Sequence, residues 1–552
     1  MVNYKKTTTT TSTTIKTADG ATKTTTKTST VYDRLRTFAT PESAIPLDTV
    51  NRLMTSPRKQ YADANTYAHL LEPQVGPSFK YPADFLWGFA TASYQIEGAV
   101  AEEGRGRTIW DEFCDTPGKV IDATSGATAC DSFHRVTEDV ALLKAYGVKA
   151  YRFSFAWSRI IPLGGRDDPV NPLGIAYYNR LIDTLLAAGI TPFATLYHWD
   201  LPLALAERYN GLLNSEEFPK DFERYARVVF QSFGDRVKHW LTFNEPYCSS
   251  KLGYGWGNHA PGRTSDRAKN PVGDTSVEPW RAGHSILLAH ARAVNVYRTE
   301  FQATQGGKIA ITLNCDWGEP YSDSEEDKAA AVRYLEFYVA WFADPIFLGD
   351  YPESLKKQLG NRLPAFSEEE KALVKGSADF FGLNSYTTRL VENRDAAPEL
   401  DDLDGNVIQH TAYSNGTPIG PRAESVWLFV VPWGLRKLLN WLDNRYDHPD
   451  IFLTENGCSV PNENNLTKEE LLNDQFRVNF YKGYLNAVQL AINDGVKIKS
   501  YFAWSLLDNF EWADGLQTRF GCTYVDFDTF ERIPKASARF VSSHFKAHTI
   551  EE

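Results

Sequence analysis

Two glutamates, Glu245 and Glu455, lie at the ends of short apolar segments of the chain, and each is flanked by an asparagine. Two carboxyl groups that face one cavity can cleave a glycosidic bond. About 5 to 5.5 Å apart they suit double displacement with retention, whereas a wider gap admits a water molecule and gives inversion. Either reaction needs one carboxyl group protonated and the other ionised near neutral pH, which requires unlike surroundings.

Residues around the two glutamates favour this chemistry over a purely structural role, although an isolated glutamate at a strand end often only caps a loop or pairs with arginine. Pro246 and Gly457 favour a sharp turn directly after each segment. Arg152 and Tyr386 end two other apolar segments and could hydrogen-bond one glutamate and hold it anionic. Burial near aromatic side chains would raise the pKa of the other.

The glutamates belong to a series of short apolar segments that alternate with longer helical patterns from residue 79 onward. The segments are 85–95, 150–157, 191–200, 239–246, 308–314, 379–386, 451–457 and 500–509. Eight alternations predict parallel strands with crossover helices. We therefore expect an α/β fold in which residues 79–552 form a single catalytic domain, a (β/α)8 TIM barrel with long loops. The same periodicity is compatible with a doubly wound open sheet.

A barrel places its chemistry at the carboxyl ends of its strands. Those ends are unusually polar here, and core packing gives no reason for that: Gln95, Arg152, His198, Trp199, Asp200, Asn244, Glu245, Asn314, Asn384, Tyr386, Glu455, Asn456, Trp504, Glu511 and Trp512. The pattern predicts a site at this mouth.

Six separated motifs, in order along the chain, identify a resemblance. They are residues 85–98 (FLWGFATASYQIEG), 151–154 (YRFS), 198–202 (HWDLP), 242–246 (TFNEP), 454–457 (TENG) and 504–512 (WSLLDNFEW). Together they resemble the signatures of glycoside hydrolase family 1, the retaining β-glucosidases, and look closest to its intracellular fungal members. The resemblance runs from about residue 79 to residue 545.

The resemblance implies catalytic roles for five of these residues. Glu455 stands where the family keeps its nucleophile, and Glu245 where it keeps its general acid/base. Arg152 and Tyr386 match the partners of the nucleophile, and Asn314 matches the residue that helps to position them.

The resemblance also implies a set of sugar-binding residues. Those expected to bind hydroxyl groups are Gln95, His198, Asn244, Glu511 and Trp512, with Trp504 as the platform for the apolar sugar face and Trp199 and Phe520 completing the wall. Neutral hexoses need such a mixture of polar groups and an aromatic face.

Two of these residues narrow the substrate that the resemblance implies. Acidic Glu511 would repel a sugar phosphate. Thioglucoside-cleaving relatives carry glutamine in place of the acid/base, so the glutamate at position 245 implies ordinary O-glycosides. We expect hydrolysis of terminal β-D-glucosyl residues from cellobiose, short oligosaccharides or aryl glucosides. Two alternatives stay open: an enzyme that transfers glucose to other acceptors from the same intermediate, and a catalytically silent sugar-binding protein.

Composition argues against other classes of protein. A net charge of −12 disfavours nucleic-acid and anionic-membrane partners, and no run of 18 apolar residues is present. Six cysteines without CxxC spacing, and eleven histidines without HxH or HExxH spacing, give no sign of a metal site. We expect no cofactor and, since no apolar leader is seen, a cytoplasmic location; the oligomeric state is left open.

The first thirty residues are close to half threonine, interrupted by lysines. Because they offer few apolar side chains to offset the entropy of ordering, we expect residues 1–31 to be a disordered tail. Residues 32–78 carry scattered apolar positions and are expected to form a loosely helical extension.

Overall fold

A computed structural model describes residues 4–16, 22–34, 74–76 and 78–549. The chain comprises two compact units, Met1–Thr55 and Ser56–Glu552.

In the first unit, the strands Tyr4–Lys16 and Thr22–Arg34 pair antiparallel along their whole length. This differs from the disordered tail expected over residues 1–31. That expectation weighed only the lack of apolar side chains, whereas β-branched threonine also favours extended backbone. The predicted helical extension, residues 32–78, lies almost entirely outside the described residues.

Within the described residues of the second unit, eight parallel strands close into a barrel. They are β1 (Leu86–Ala90), β2 (Ala150–Ser154), β3 (Thr191–Tyr197), β4 (His239–Asn244), β5 (Lys308–Asn314), β6 (Phe381–Asn384), β7 (Ile451–Asn456) and β8 (Ile498–Trp504). The barrel closes where β8 pairs with β1, from Ser500 opposite Leu86 to Trp504 opposite Ala90. The predicted (β/α)8 barrel is confirmed, since a doubly wound sheet would leave these two edges open.

Crossover helices follow the strands in chain order. They are α1 (Val136–Tyr146), α2 (Pro172–Ala187), α3 (Phe218–Phe233), α4 (Glu278–Val296), α5 (Glu325–Leu335), α6 (Pro432–Arg445), α7 (Gln475–Asn493) and α8 (Ala536–His548). Proline occupies the first turn of α2, α3, α4 and α6, where its missing N–H costs nothing. The α2 helix begins where the Asn171 side chain accepts the N–H of Leu173.

The long loops carry elements of their own. Short helices are Ser93–Ile96, Ile109–Asp115, Trp157–Ile160, Leu203–Tyr209, Pro246–Tyr254, Gln302–Gln305, Trp341–Phe347, Glu353–Leu359, Glu368–Val374 and Lys468–Leu472. A small sheet outside the barrel pairs Thr388–Asn393 with Trp317–Pro320 on one side and Val407–His410 on the other. A second small sheet pairs Thr523–Val525 with Arg532–Pro534.

Aromatic side chains fill the barrel below its mouth. The Phe193 ring on β3 lies 5.1 Å from that of Phe502 on β8 and 5.9 Å from that of Phe452 on β7. Phe452 in turn packs on Phe380 at 4.4 Å. These rings form one close-packed layer, and the His239 ring at the start of β4 also stacks on Phe193, at 5.1 Å.

A buried charge network fastens the loop that follows β8. Lys535, at the start of α8, lies 2.8 Å from both Glu463 and Asp508, and all three side chains are buried. Arg477 on α7 pairs with Glu463 at 3.0 Å, and Arg519 pairs with Asp508 at 2.9 Å. The network therefore ties two outer helices to the loop between residues 505 and 522.

Removing the shared cation of this network should cost much stability. Lys535→Met leaves two buried carboxylates short of a partner, and we expect the free energy of unfolding to fall by about 3–5 kcal/mol. The measurement is urea denaturation followed by tryptophan fluorescence.

Lys437→Met is the matched control, because the Lys437–Glu319 pair is partly exposed to solvent. We expect it to change the free energy of unfolding by less than about 1 kcal/mol. Equal losses in the two variants would contradict the role assigned to the network.

Candidate active site

Glu455, on β7, has a cation and a phenol as its nearest partners. Nη1 of Arg152 on β2 lies 2.5 Å from Oε1 of Glu455 and also donates to the carbonyl of Thr454 at 3.0 Å. The Tyr386 hydroxyl, just beyond β6, donates to Oε2 at 2.6 Å. Both oxygens of this buried carboxyl group therefore accept strong hydrogen bonds, which favour its anionic form.

Glu245, the residue after β4, has neutral partners instead. Asn384 Nδ2 donates to its Oε1 at 2.7 Å, and the Cys248 thiol donates to its Oε2 at 3.0 Å. The backbone of Glu245 is left-handed (φ 46°), and Pro246 begins a helix directly after it. Such a backbone is uncommon for a residue with a side chain and is typical of functional sites.

Amide groups join the two glutamates. Asn244 Oδ1 accepts from Arg152 Nη2 at 2.6 Å and from Asn384 Nδ2 at 3.0 Å. Asn384 thus contacts Glu245 and Asn244, while Arg152 contacts Asn244 and Glu455. One continuous network therefore holds both carboxyl groups at the same mouth.

Burial and charge give the glutamates unequal proton affinities. Burial raises the pKa of Glu245 to about 8, and the nearby negative charge of Glu455 adds to the effect. Burial raises the pKa of Glu455 as well, but the Arg152 cation and the hydrogen bonds from Tyr386 and Arg152 oppose it. Of the pair, Glu455 loses its proton first and Glu245 keeps it.

Two polar side chains at the mouth, His198 and Gln95, have hydrogen-bonding atoms that remain free to bind a ligand. His198 Nε2 accepts from Asn244 Nδ2 at 3.0 Å, and burial together with Arg152 lowers the pKa of His198, so the ring is neutral with its hydrogen on Nδ1. Gln95 Nε2 donates to Asn509 Oδ1 at 3.1 Å. In the described part of the chain, neither His198 Nδ1 nor Gln95 Oε1 has a partner.

Aromatic rings form the wall beside these groups. The His198 ring stacks with Trp504 at 5.7 Å and with Trp512 at 6.0 Å. Trp199 packs on Trp512 at 4.6 Å and donates from its indole to the Asn244 carbonyl. Flat apolar faces beside hydrogen-bonding groups suit a sugar ring, whose hydroxyl edges and C–H faces alternate.

A third carboxyl group, Glu511, faces the same mouth. Gln95 Nε2 lies 3.4 Å from its Oε2. Burial raises the pKa of Glu511, and the negative charges of Asp514, Glu455 and Glu245 add to the effect. A further anion would meet repulsion here, so the site favours a neutral ligand.

Phe520 lies on the Tyr386 side of the site, with its ring edge-to-face to that of Tyr386 at 6.3 Å. The structure therefore brings together all but one of the residues proposed from the sequence.

Residues 78–550 match the glycosyl hydrolase family 1 profile. The chain belongs to glycosyl hydrolase family 1. It is 55% identical over 482 residues to "Beta-glucosidase 1B" of Phanerodontia chrysosporium, which covers 87% of this chain and 88% of that relative. It is similar to the crystal structure of a GH1 beta-glucosidase from Humicola insolens in complex with glucose (TM-score 0.85, 53% identity), covering 86% of this chain and 100% of that one. The crystal structure of the beta-glucosidase from Trichoderma harzianum gives a TM-score of 0.83 at 54% identity, covering 87% and 100%.

The remaining residue of this family 1 enzyme is Asn314, which pairs with Asn384 in the barrel ladder. Its Nδ2 lies 3.3 Å from Cys248 Sγ and 3.3 Å from the Tyr338 hydroxyl. Asn314 therefore contacts the Glu245 side of the site through Cys248, and its expected role in positioning Arg152 and Tyr386 stays a prediction.

Sequence reasoning placed Asn384 at the mouth without assigning it a role, and it missed Cys248; both contact Glu245. Asn384 is two positions before Tyr386, so strand alternation alone puts it on the same face. Cys248 is three positions after Glu245, and Pro246 begins a helix there, so helical spacing places Cys248 beside it. Both signals were present in the sequence of this family 1 enzyme.

Among the described residues, no group of three His, Cys, Asp or Glu side chains is arranged to hold a metal ion. None of the described helices combines the length and apolar character needed to cross a bilayer.

The unequal environments predict how the Glu245 pKa responds to substitution. Hydrogen bonds to a carboxylate lower its pKa, so Cys248→Ala should raise the Glu245 pKa above about 8. Glu455→Gln should lower it, because the neighbouring negative charge is removed. The measurement is a pH titration of the Glu245 carboxyl by 13C NMR, with Glu245→Gln identifying its signal.

Cys248→Ser is the matched control, since a hydroxyl keeps the donor and should leave the pKa near that of the parent enzyme. A fall in the pKa after Cys248→Ala, or a rise after Glu455→Gln, would contradict this account.

Proposed function

We propose that this chain hydrolyses terminal β-D-glucosidic bonds with retention of configuration, with Glu455 as nucleophile and Glu245 as general acid/base. The observation that carries the proposal is the difference between their partners. Glu455 is bound by a guanidinium and a phenol, whereas Glu245 is bound by an amide and a thiol. Unequal surroundings of this kind divide the roles of acid and nucleophile between two carboxyl groups.

In the first step the Glu455 carboxylate attacks the anomeric carbon while Glu245 gives its proton to the departing glycosidic oxygen. The bond from carbon to the leaving oxygen breaks as the bond to Glu455 forms. Tyr386 and Arg152 hold the attacking carboxylate in place. The product of this step is a glucosyl ester of Glu455.

In the second step water replaces the leaving group. Glu245, now a carboxylate, takes a proton from water, which attacks the anomeric carbon and releases Glu455. Esterified Glu455 carries no charge, so the repulsion that helps to raise the Glu245 pKa is gone at this stage. Glu245 is thereby suited to act as a base in the second step after acting as an acid in the first.

We assign the sugar to the pocket beside the glutamates. Asn244 is placed to bind the 2-hydroxyl group, a contact that strengthens at the transition state. We assign the binding of the other hydroxyl groups to Gln95, His198, Glu511 and Trp512. Trp504 packs against the apolar face of the sugar, and Trp199 and Phe520 complete the pocket wall. The negative charges of Glu455 and Asp514 around Glu511 favour an unphosphorylated sugar.

The proposal also covers the leaving group, which is the part of the substrate that is attached to the glucosyl residue. We propose cellobiose, short oligosaccharides and aryl glucosides as substrates, because the relatives are named β-glucosidases and one related structure contains glucose. The cytoplasmic location expected from the sequence stays a prediction, which the six free cysteines support.

Glu455→Gln should abolish turnover of an aryl β-glucoside, because an amide cannot form the covalent intermediate. A slow 2-deoxy-2-fluoro glucoside should add its glycosyl mass to the parent enzyme, and peptide mapping should place that mass on Glu455. Near-normal activity of Glu455→Gln would refute the assignment of the nucleophile.

Glu245→Ala should slow substrates with poor leaving groups more than those with good ones, since only the former depend on protonation. Added azide should restore turnover and give a β-glycosyl azide. An absence of rescue, or an α-configured product, would argue against Glu245 as the acid/base.

A further inference from the structure

Tyr386 lies in a bulge between two sheets. Strands β5 and β6 pair Asn314 with Asn384, and the small sheet beyond them pairs Trp317 with Thr388. Two residues on one side, 315 and 316, therefore oppose three on the other, 385 to 387. An extra residue of this kind interrupts the ladder, turns the strand and leaves backbone groups unpaired.

Most backbone groups of the bulge find partners nearby. The N–H of Ser385 donates to the Glu455 carbonyl at 3.1 Å, and the Ser385 carbonyl accepts from Asn456 Nδ2 at 2.6 Å. The Tyr386 carbonyl accepts from the Tyr484 hydroxyl at 2.9 Å. The N–H groups of Tyr386 and the next residue have no ladder partner, because no strand register reaches them.

Asp316 supplies the hydrogen-bond acceptor that these two N–H groups lack. Its Oδ1 accepts the N–H of Tyr386 at 3.0 Å and the N–H of Thr387 at 3.0 Å. Asp316 is itself buried, 8% exposed, and it stands opposite the bulge on the segment that leaves β5. A single anionic oxygen that binds two successive N–H groups fixes the direction of the backbone between them.

We infer that Asp316 is a positioning residue for the reaction: it fixes the bulge that aims the Tyr386 hydroxyl at Glu455. The inference rests on the roles proposed for Tyr386 and Glu455. Without the carboxylate, two buried N–H groups lose their acceptor, and such groups are costly to leave unpaired. The bulge then relaxes and carries the phenol away from the nucleophile.

A double-mutant cycle tests the inference. Asp316→Ala should lower kcat/KM for an aryl β-glucoside by about 10- to 100-fold, the loss expected from displacing a group that orders the reacting atoms. Tyr386→Phe should lower it as well. In the Tyr386→Phe background, Asp316→Ala should lower kcat/KM by less than about a further threefold, because the two substitutions remove the same interaction.

Two further variants separate positioning from general stability. Asp316→Asn keeps an acceptor oxygen for the two N–H groups and should retain most of the activity. Asp327→Ala is the matched control, since Asp327 Oδ1 accepts the N–H of Asn393 at the far end of the same small strand. It should lower the melting temperature but leave kcat/KM within about twofold of the parent, in both backgrounds.

Asp316→Glu replaces Asp316→Ala in the cycle if the alanine variant does not fold, because it keeps a buried carboxylate but displaces it by one methylene. Losses that multiply in the double mutant would overturn the inference, and so would an Asp316→Asn variant as impaired as the alanine one. Failure of the proposed function has a different signature. In that case Tyr386→Phe and Glu455→Gln would themselves be fully active.

Discussion

The contact between Arg152 and Glu455 is the interaction on which the pocket depends. Glu245, Glu455 and Glu511 are all buried at one mouth. The charge of Glu455 raises the proton affinity of Glu245, and the charges of both raise that of Glu511. Burying a charge is costly unless it is paired and hydrogen-bonded. The guanidinium of Arg152 keeps Glu455 ionised and also holds the Asn244 amide, so one side chain sets both the charge and the geometry of the site.

The barrel makes this arrangement possible by separating apolar from polar layers. Phe193, Phe452 and Phe502 pack together in the barrel, and Arg152 on β2 stands opposite Phe193 in the strand register. Above that layer, neighbouring strands bring side chains from distant parts of the sequence within hydrogen-bond distance. Burial in such a setting raises the pKa of Glu245 to about 8, and the weakly screened negative charge of Glu455 adds to the effect.

Periodicity predicted parallel strands with crossover helices, because the two kinds of element alternate along the sequence with different periods. It left a doubly wound sheet open, and the pairing of β8 with β1 decides for the barrel. The strand ends also predicted the site, since polar residues recur where an apolar strand should stop. The position of Asn314 could not be predicted this way. Whether it turns toward Tyr386 or toward Cys248 depends on side-chain packing between β5 and the helix after β4, and strand spacing carries no information on that. The structure of the threonine-rich N-terminal segment could not be predicted either. Its low apolar content indicates a disordered tail, whereas the β propensity of threonine favours the paired strands that are observed.

The charge network behind the β8 loop also has a consequence for how the enzyme matures during synthesis. Asp508 holds the loop that carries Glu511 and Trp512, and its cation Lys535 comes later in the chain, at the start of α8. The barrel itself closes only when β8 reaches β1. A nascent chain in which β8, the loop after it and α8 are not yet synthesised contains both glutamates, but it lacks the pocket wall that carries Glu511 and Trp512. Competence to bind sugar therefore arises only after α8 has been synthesised.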